Sequence, residues 1–455
     1  RFVNFMNNPD ELTAVEQFGK GDKYFGVAVL MVTMPGLPMF GHGQIEGFRE
    51  KYGMEYRRAY WDEQIDQDLV RRHEREIFPL MRRRRLFSSA DQFAFFDFIH
   101  DDHYVDENVF AFSNRQGDDR VLVLYNNAYN TTHGHIHTST AINVGSAEQP
   151  HFVHRTLVEA LGLRTDPHVF YVFRDHRDNL QYIREGADLG RSGLSCVLHG
   201  YQYHVFLDFQ EIVASSGVWR KVANRLNGSG TPDIRKVFRE VTLAPTLEPL
   251  QHLFLPTLIT SIEPSSRAKP KAEKQARTNV VDALIQYLAA VEHVMEVSFD
   301  RDSVIENADR DLTIIQSFPR LLRRLKIEPS FIVLLGKTLQ TRVNNVQWVM
   351  WALLRRMEEV IAVNSVDGSP AWIRDWLIED AVVACFLGIG ESEENSARRA
   401  RLLAVLLRHT PELLAAHEGD SRVFFDALLD DVTAREYLHV NEYGGEWWIG
   451  KEPLE

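Results

Sequence analysis

Residues 1–47 read RFVNFMNNPDELTAVEQFGKGDKYFGVAVLMVTMPGLPMFGHGQIEG. Two short apolar runs bracket this stretch, Phe2-Val3-Asn4-Phe5-Met6 and Leu37-Pro38-Met39-Phe40. Each breaks off into polar, turn-forming residues, Asn7-Asn8-Pro9-Asp10-Glu11 after the first and Gly41-His42-Gly43-Gln44-Ile45-Glu46-Gly47 after the second. Between them Asp10 to Thr33 has helical periodicity, with Asp10 and Glu11 suited to its N-terminus and Gly19 and Gly21 placed to split it in two. Pro35-Gly36 stops it. The order is strand, loop, helix, strand, loop, and in α/β proteins such loops beyond the carboxyl ends of strands carry the chemistry.

Phe5-Met6-Asn7-Asn8-Pro9-Asp10 resembles the last motif of the α-amylase superfamily of glycoside hydrolases, where a strand runs into Asn-His-Asp. Met34-Pro35-Gly36-Leu37-Pro38 with Phe40-Gly41 resembles that family's passage into the eighth barrel strand. The two motifs stand in order at the spacing of one helix, and the likeness covers roughly the first fifth of the chain. It implies a multidomain chain of α and β structure: the end of a (β/α)8 barrel, an antiparallel β-sandwich, then an α-helical domain. It implies a glycosidase or transglycosidase acting on α-glucans in carbohydrate metabolism, with a maltooligosaccharide as substrate. One position departs from the pattern. The family's histidine is Pro9 here, which offers neither a side-chain donor nor an acceptor, so that sugar contact is not carried over.

Retaining glycosidases need a nucleophile and an acid, two carboxyl groups about 5–5.5 Å apart. The resemblance places both on strands preceding Arg1 and assigns to Asp10 the third acid, which steadies developing charge. Asp10 is therefore the catalytic candidate, and its other reading is a helix N-cap after Pro9. Glu11 is the adjacent alternate. Asn7 and Asn8 can bond sugar or close the turn. His42, Gln44 and Glu46, at the next strand end, can line the same cleft, and Glu46 can equally pair with Arg49 or Arg57. Because the chain leads from Arg1 straight into a strand whose edges need neighbours, it is read as the C-terminal part of a longer protein that lacks the nucleophile and general acid. The alternative is a non-catalytic amylase-like scaffold with a helical half that binds a protein partner; Pro9 favours it.

Composition narrows the rest. The chain has 455 residues, 44% of them apolar, enough for several cored domains. A net charge of −13 argues against nucleic acid as a partner. Arg82-Arg83-Arg84-Arg85 is read as cations at a helix C-terminus. Two distant cysteines, Cys196 and Cys385, give no disulfide framework, which fits the cytoplasm. No membrane span or signal peptide is expected, and no cofactor.

Residues 1–86 are expected to hold the barrel's last strand–helix units, including a long loop rich in aromatics (Phe48, Tyr52, Tyr56, Tyr60, Trp61) and a helix from Asp66 to Leu86. From Phe93 the period changes to two, and residues 87–213 are expected to form the sandwich, with strands at Phe93–Phe98, Val109–Phe112, Arg120–Asn127, Val169–Phe173 and Tyr203–Asp208 and a turn at Asn114–Asp119. His133, His135 and His137 alternate, so a strand puts them on one side. Neighbouring residues on one strand seldom converge on a single ion, and neither they nor His100-Asp101-Asp102-His103 are expected to bind metal. Residues 214–455 are expected to be mainly helical, with Thr231 capping a helix near Asp233, an exposed linker at Ile262–Lys274, and later helices that include Arg301–Asn307, Asp311–Lys326, Pro329–Val363, Ser369–Leu387, Glu393–Leu407 and Pro411–Leu429. Val349, Leu353, Leu354 and Met357 form a packing stripe. The tail aromatics around Gly444-Gly445 suggest a hairpin arm.

Overall fold

A computed structural model describes residues 2–51, 58–146, 148–264, 269–322, 324, 341–361, 371–410, 421–443 and 446–449. The chain folds as two compact units, Arg1–Phe238 and Arg239–Glu455. The protein combines helices with mostly antiparallel sheets; among the described residues the parallel pair is the stretch that opened the sequence.

Strand β1 (Val3–Phe5) pairs in parallel with β2 (Leu37–Met39), Val3 opposite Leu37 and Phe5 opposite Met39. Gly36 makes the approach possible. Its φ is +125°, and a Cβ there would lie 2.8 Å from the Phe2 carbonyl, a position only glycine tolerates. Between the strands run α1 (Ala14–Phe18) and α2 (Asp22–Thr33), separated by Gly19 at φ +73° as the sequence suggested. The cap of α1 is a correction. Thr13 and Glu16 form a reciprocal capping box, so Asp10 does not cap the helix; it sits exposed in the preceding turn.

The helix expected over Asp66–Leu86 runs as consecutive pieces: α3 (Gln67–Arg72), a π-helical turn at His73–Ile77, α4 (Phe78–Arg82) and α5 (Arg84–Ser88). Asp66 caps α3 through the amides of Asp68 and Leu69. In the arginine run, Arg84 donates to the carbonyls of Val32, in the last turn of α2, and of Met34 and Gly36 beyond it, while Arg83 pairs with Asp208 at 2.6 Å. Backbone carbonyls and a carboxylate hold these two cations.

The large sheet has six antiparallel strands in the order β11 (Gln181–Glu185), β10 (Val169–Asp175), β13 (Tyr203–Val213), β6 (Asp119–Asn126), β5 (Val109–Gln116), β3 (Ala94–Phe96). β5 extends through Asn114 and turns at Gly117, φ +61°, so the expected turn is shorter than the sequence suggested. A small sheet joins β4 (Ile99–His100), β7 (Thr132–Ile136) and β12 (Leu194–Leu198). In β6 alternation sends Val121, Val123 and Tyr125 into one core with Tyr24, Phe25, Val29, Leu80 and Phe87 of the helical segments. Leu122 and Leu124 enter a second core with Phe98, which precedes β4, and with Ile136, Leu194 and Leu198 of the small sheet. The first 88 residues thus share a core with the sheet that follows them.

After β13, α8 (Val218–Leu226) and the start of α9 (Ile234–Thr242) also belong to the first unit. Thr231 does not cap α9: its backbone pairs with Gln181, and the Asp233 carboxylate receives the amides of Arg235 and Lys236. In the second unit Ile262, at the start of the expected linker, is fully buried, and Pro270 to Lys274 open the helix Pro270–Met295. Pro270 stands at its first position, where a missing N–H costs nothing. The two helices expected between Arg301 and Lys326 form one, Arg301–Leu322. The stripe Val349, Leu353, Leu354, Met357 is fully buried within Arg342–Ile361. The beginnings of the helices expected at Pro329 and Pro411 lie outside the described residues. Asn441–Tyr443 and Glu446–Trp448 pair antiparallel, as a hairpin arm requires; Gly444-Gly445 lie outside the described residues.

Candidate functional site

Both parallel strands end at one small cavity. Its walls include Asn7, Asn8, Glu11, His42, Glu50 and Lys51, with Pro9, Thr13 and the strand end at Met39–Gly41, and its volume is about 190 Å³. That is below the ~300–1,000 Å³ of pockets that engulf a whole drug-sized ligand. A site of this size takes one end of a ligand.

Each wall has a local cause. Asn8 is committed to the turn after β1: its Oδ1 accepts the Asp10 amide at 2.8 Å and its carbonyl accepts the Glu11 amide. That turn brings Glu11 to the cavity and leaves Asp10 in solvent, outside the lining. Across the cavity, the loop after β2 is pinned from behind. Gln44 is buried; its Oε1 accepts the Gly41 amide at 2.9 Å and its Nε2 reaches Met6 Sδ. The Tyr24 hydroxyl reaches the Gln44 carbonyl at 3.0 Å and His73 Nε2 at 3.1 Å, with His73 Nδ1 donating to the Leu69 carbonyl. His73 is fully buried, and burial holds its imidazole below the usual histidine range. A neutral imidazole with Nδ1 protonated presents Nε2 as an acceptor, so the single Tyr24 O–H proton is shared between this nitrogen and the Gln44 carbonyl.

The aromatic loop is also fastened. Glu63 accepts the amides of Arg49 and Glu50, and the Glu50 carboxylate accepts those of Tyr60 and Trp61, the first at 2.6 Å. These bonds fix Glu50 and Lys51 at the cavity and hold Tyr60 and Trp61, 65% and 57% exposed, as outward aromatic surfaces. Tyr52, Tyr56 and Arg57 lie outside the described residues.

Of the six residues singled out in the sequence, the fold brings Asn8, Glu11 and His42 to one cavity. Asp10 and Glu46 are not in its walls, and Gln44 supports the loop from inside instead of facing a ligand. The residue that sequence reasoning left ambiguous, Asn7, is the informative one. It is 7% exposed, lines the cavity, and its Oδ1 is buried with no hydrogen-bond partner among the described residues. Gly41 packs so tightly on this amide that a Cβ there would stand 2.6 Å from Nδ2. An unpaired buried carbonyl oxygen costs about 1–3 kcal/mol, which a ligand O–H or N–H would recover. Its signal in the sequence was position alone, the first polar residue after an apolar strand.

No family model and no curated relative matches the chain. Among solved structures it is similar to the α-amylase of Geobacillus thermoleovorans complexed with acarbose, at 14% identity and a TM-score of 0.29, over 45% of this chain and 38% of that one. It is similar also to the debranching enzyme of Nostoc punctiforme soaked with acarbose, at 13% identity and a TM-score of 0.26, over 45% of this chain and 33% of that one. The chain therefore spans well under half the length of these structures. Overlaps this small leave the chemistry to be argued from the residues.

Elsewhere the histidine row divides. His133 pairs with Asp101 at 2.7 Å, while His135 and His137 turn toward a separate cavity. Among the described residues no group of three or more histidine, cysteine or acidic side chains is placed to hold a metal ion. Among them, too, no helix is long and apolar enough to cross a membrane.

Proposed function

We propose that this chain is the C-terminal part of an α-amylase-like glycoside hydrolase or transglycosidase, and that the cavity at its paired strand ends holds one sugar ring of an α-glucan. The observation that carries this reading is Asn7, which lines a polar cavity beyond the carboxyl ends of two parallel strands and whose buried Oδ1 has, among the described residues, no hydrogen-bond partner. A sugar hydroxyl is the donor it lacks. Glu11 would accept further hydroxyls and lend negative charge near an oxocarbenium-like centre, with Asp10 in the adjoining turn. Tyr60 and Trp61 offer faces on which a glucan chain can stack.

The barrel is part of the same reading. The outer sides of the strand pair are apolar and open: Val3 is 50% exposed and Leu37 64%. Two such strands with unpaired edges call for further strands over them, and the sheet beyond, capped by the smaller one, is read as the family's sandwich.

The second reading, a non-catalytic scaffold with the helical half as an interaction domain, draws on a specific observation. Besides Glu11, the cavity carboxylate is Glu50, and both of its oxygens already accept the backbone amides of Tyr60 and Trp61, which makes it a brace of the loop.

Calorimetry with maltoheptaose on the 455-residue chain tests the cavity. Binding that Asn7→Ala weakens at least tenfold supports it; binding that ignores the substitution removes it. The two readings separate on a longer parent protein. Turnover there that falls when Glu11→Gln or Asp10→Asn is introduced supports the enzyme, and a parent that binds glucan without cleaving it supports the scaffold. Turnover by the 455-residue chain alone would overturn the view that the nucleophile and acid lie elsewhere.

A further inference from the structure

We infer that the first unit carries a second ligand site, on the small sheet, for a phosphorylated monosaccharide. The cavity there has a volume of about 680 Å³, within the range of pockets that hold whole metabolites and far larger than a bare ion needs. Its chemistry is set by His135, His137, His154, Arg191, Ser192 and Asp97.

Four segments bring these groups together, with Asp97 in the link between β3 and β4. β7 supplies His135 and, just beyond its end, His137. The turn before the Thr156-capped helix supplies His154, and α7 (Gly186–Ser192) ends at Arg191 and Ser192. Hydrogen bonds fix two of the rings. His137 donates from Nε2 to the Gly190 carbonyl, which ties β7 to the end of α7, and Thr138 meets its Nδ1. His154 donates from Nδ1 to the Ser139 carbonyl at 2.8 Å, leaving Nε2 for a ligand. His135 is half-buried in the cavity wall, and among the described residues its ring has no hydrogen-bond partner.

The donor set selects the ligand. Arg191 carries the fixed positive charge. It pairs with Asp188 through one terminal nitrogen, and a guanidinium has five N–H donors, so others remain for an oxyanion. The imidazoles of His135 and His154 add groups that donate or accept as the partner demands. Asp97 is an acceptor only and repels a second anion, so it suits the hydroxyls of the same molecule. Cation and imidazoles for an oxyanion, carboxylate and hydroxyl for alcohols, and room for a ring describe a hexose phosphate. The site lies on residues distinct from those around Asn7, and its occupancy does not depend on the function proposed for that cavity.

The test is calorimetry on the 455-residue chain with glucose 6-phosphate, glucose and inorganic phosphate as separate titrants. The expected result is one site for the ester, at least tenfold weaker binding of inorganic phosphate, and no detectable binding of glucose at the same concentrations. Arg191→Gln and His135→Ala, both away from the cores, should each weaken the ester at least tenfold, with circular dichroism and melting unchanged. Asn7→Ala should leave it untouched. Equal affinity for ester and phosphate would overturn the sugar part of the inference, and equal affinity for ester and glucose the anionic part. No binding of the ester at millimolar concentration, or binding indifferent to both substitutions, would overturn the site.

Discussion

The Tyr203 hydroxyl donates to the Glu76 carboxylate at 2.7 Å, in an interior where Tyr203 is 1% exposed and Glu76 5%. The bond joins β13, the third strand from the β11 edge of the large sheet, to the π-helical turn that packs beneath the strand-end loops. Burial alone would raise the Glu76 pKa. Hydrogen bonds from Arg72, Tyr203 and Arg75 outweigh it and hold the carboxyl below its usual range. Arg72 is oriented in turn by stacking on Phe25, 3.9 Å from the ring centre. Glu76→Ala leaves Arg72 with a lost partner in a mostly buried setting and should cost about 3 kcal/mol in urea unfolding. Arg75→Ala, at a position with a 67% exposed side chain, should cost under about 0.5 kcal/mol. Equal costs would show that Arg72 does not dominate this network.

Acid should weaken the first unit in two stages. Burial lowers the pKa of both His73 and His176. For a histidine depressed in the folded state, the unfolded chain binds the proton first. Stability is therefore complete above the unfolded value of about 6.5 and falls as pH drops through it. Glu76 has the same sign at lower pH, since its carboxyl must be protonated against Arg72 as pH falls below about 4.3. Urea midpoints at pH 8, 6 and 4 check this. His176→Gln keeps a donor for the Glu76 carbonyl, now met at 2.9 Å, and should flatten the first stage. A first stage as steep as in the native protein would acquit His176.

Asn7→Ala should separate binding from stability. It removes a buried acceptor that the free protein leaves unpaired, so the melting temperature should hold or rise while glucan affinity falls at least tenfold, about 1.4 kcal/mol. A loss of stability above about 1 kcal/mol would mean that the amide already serves the fold.

The cap of α1 can be weighed directly. Thr13→Ala deletes the capping box and should cost about 1 kcal/mol, whereas Asp10→Ala should stay within about 0.5 kcal/mol. The reverse order, read from guanidinium unfolding, would return the cap to Asp10.

Much of the local structure was written in residue order. Pro35-Gly36 stopped the helix, Gly19 and Gly21 split it, and the apolar runs on either side became parallel partners. The site was half legible. Composition pointed to the strand ends, yet Asp10 and Thr13 compete for the cap within four residues, and only backbone geometry decides between them. Gln44 looked like any polar loop residue; its inward turn depends on Met6 and Gly41, more than thirty positions away in one case. Period-two alternation showed that β6 has two faces, but not that helices cover one and strands the other. Such pairings are long-range, and no window of sequence contains them.

Strand β6 has a mechanical consequence. Because its alternate side chains are shared between the core under the strand-end loops and the core of the small sheet, neither can loosen while the other holds. Residues 2–238 should behave as a single foldon, with the Val121–Tyr125 amides exchanging only on global opening. A cut in the chain between Ser88 and Ala94 would release no independent fragment. The strand-end cavity and the small-sheet cavity would then share one fate on heating, and a ligand at either should delay the collapse of both.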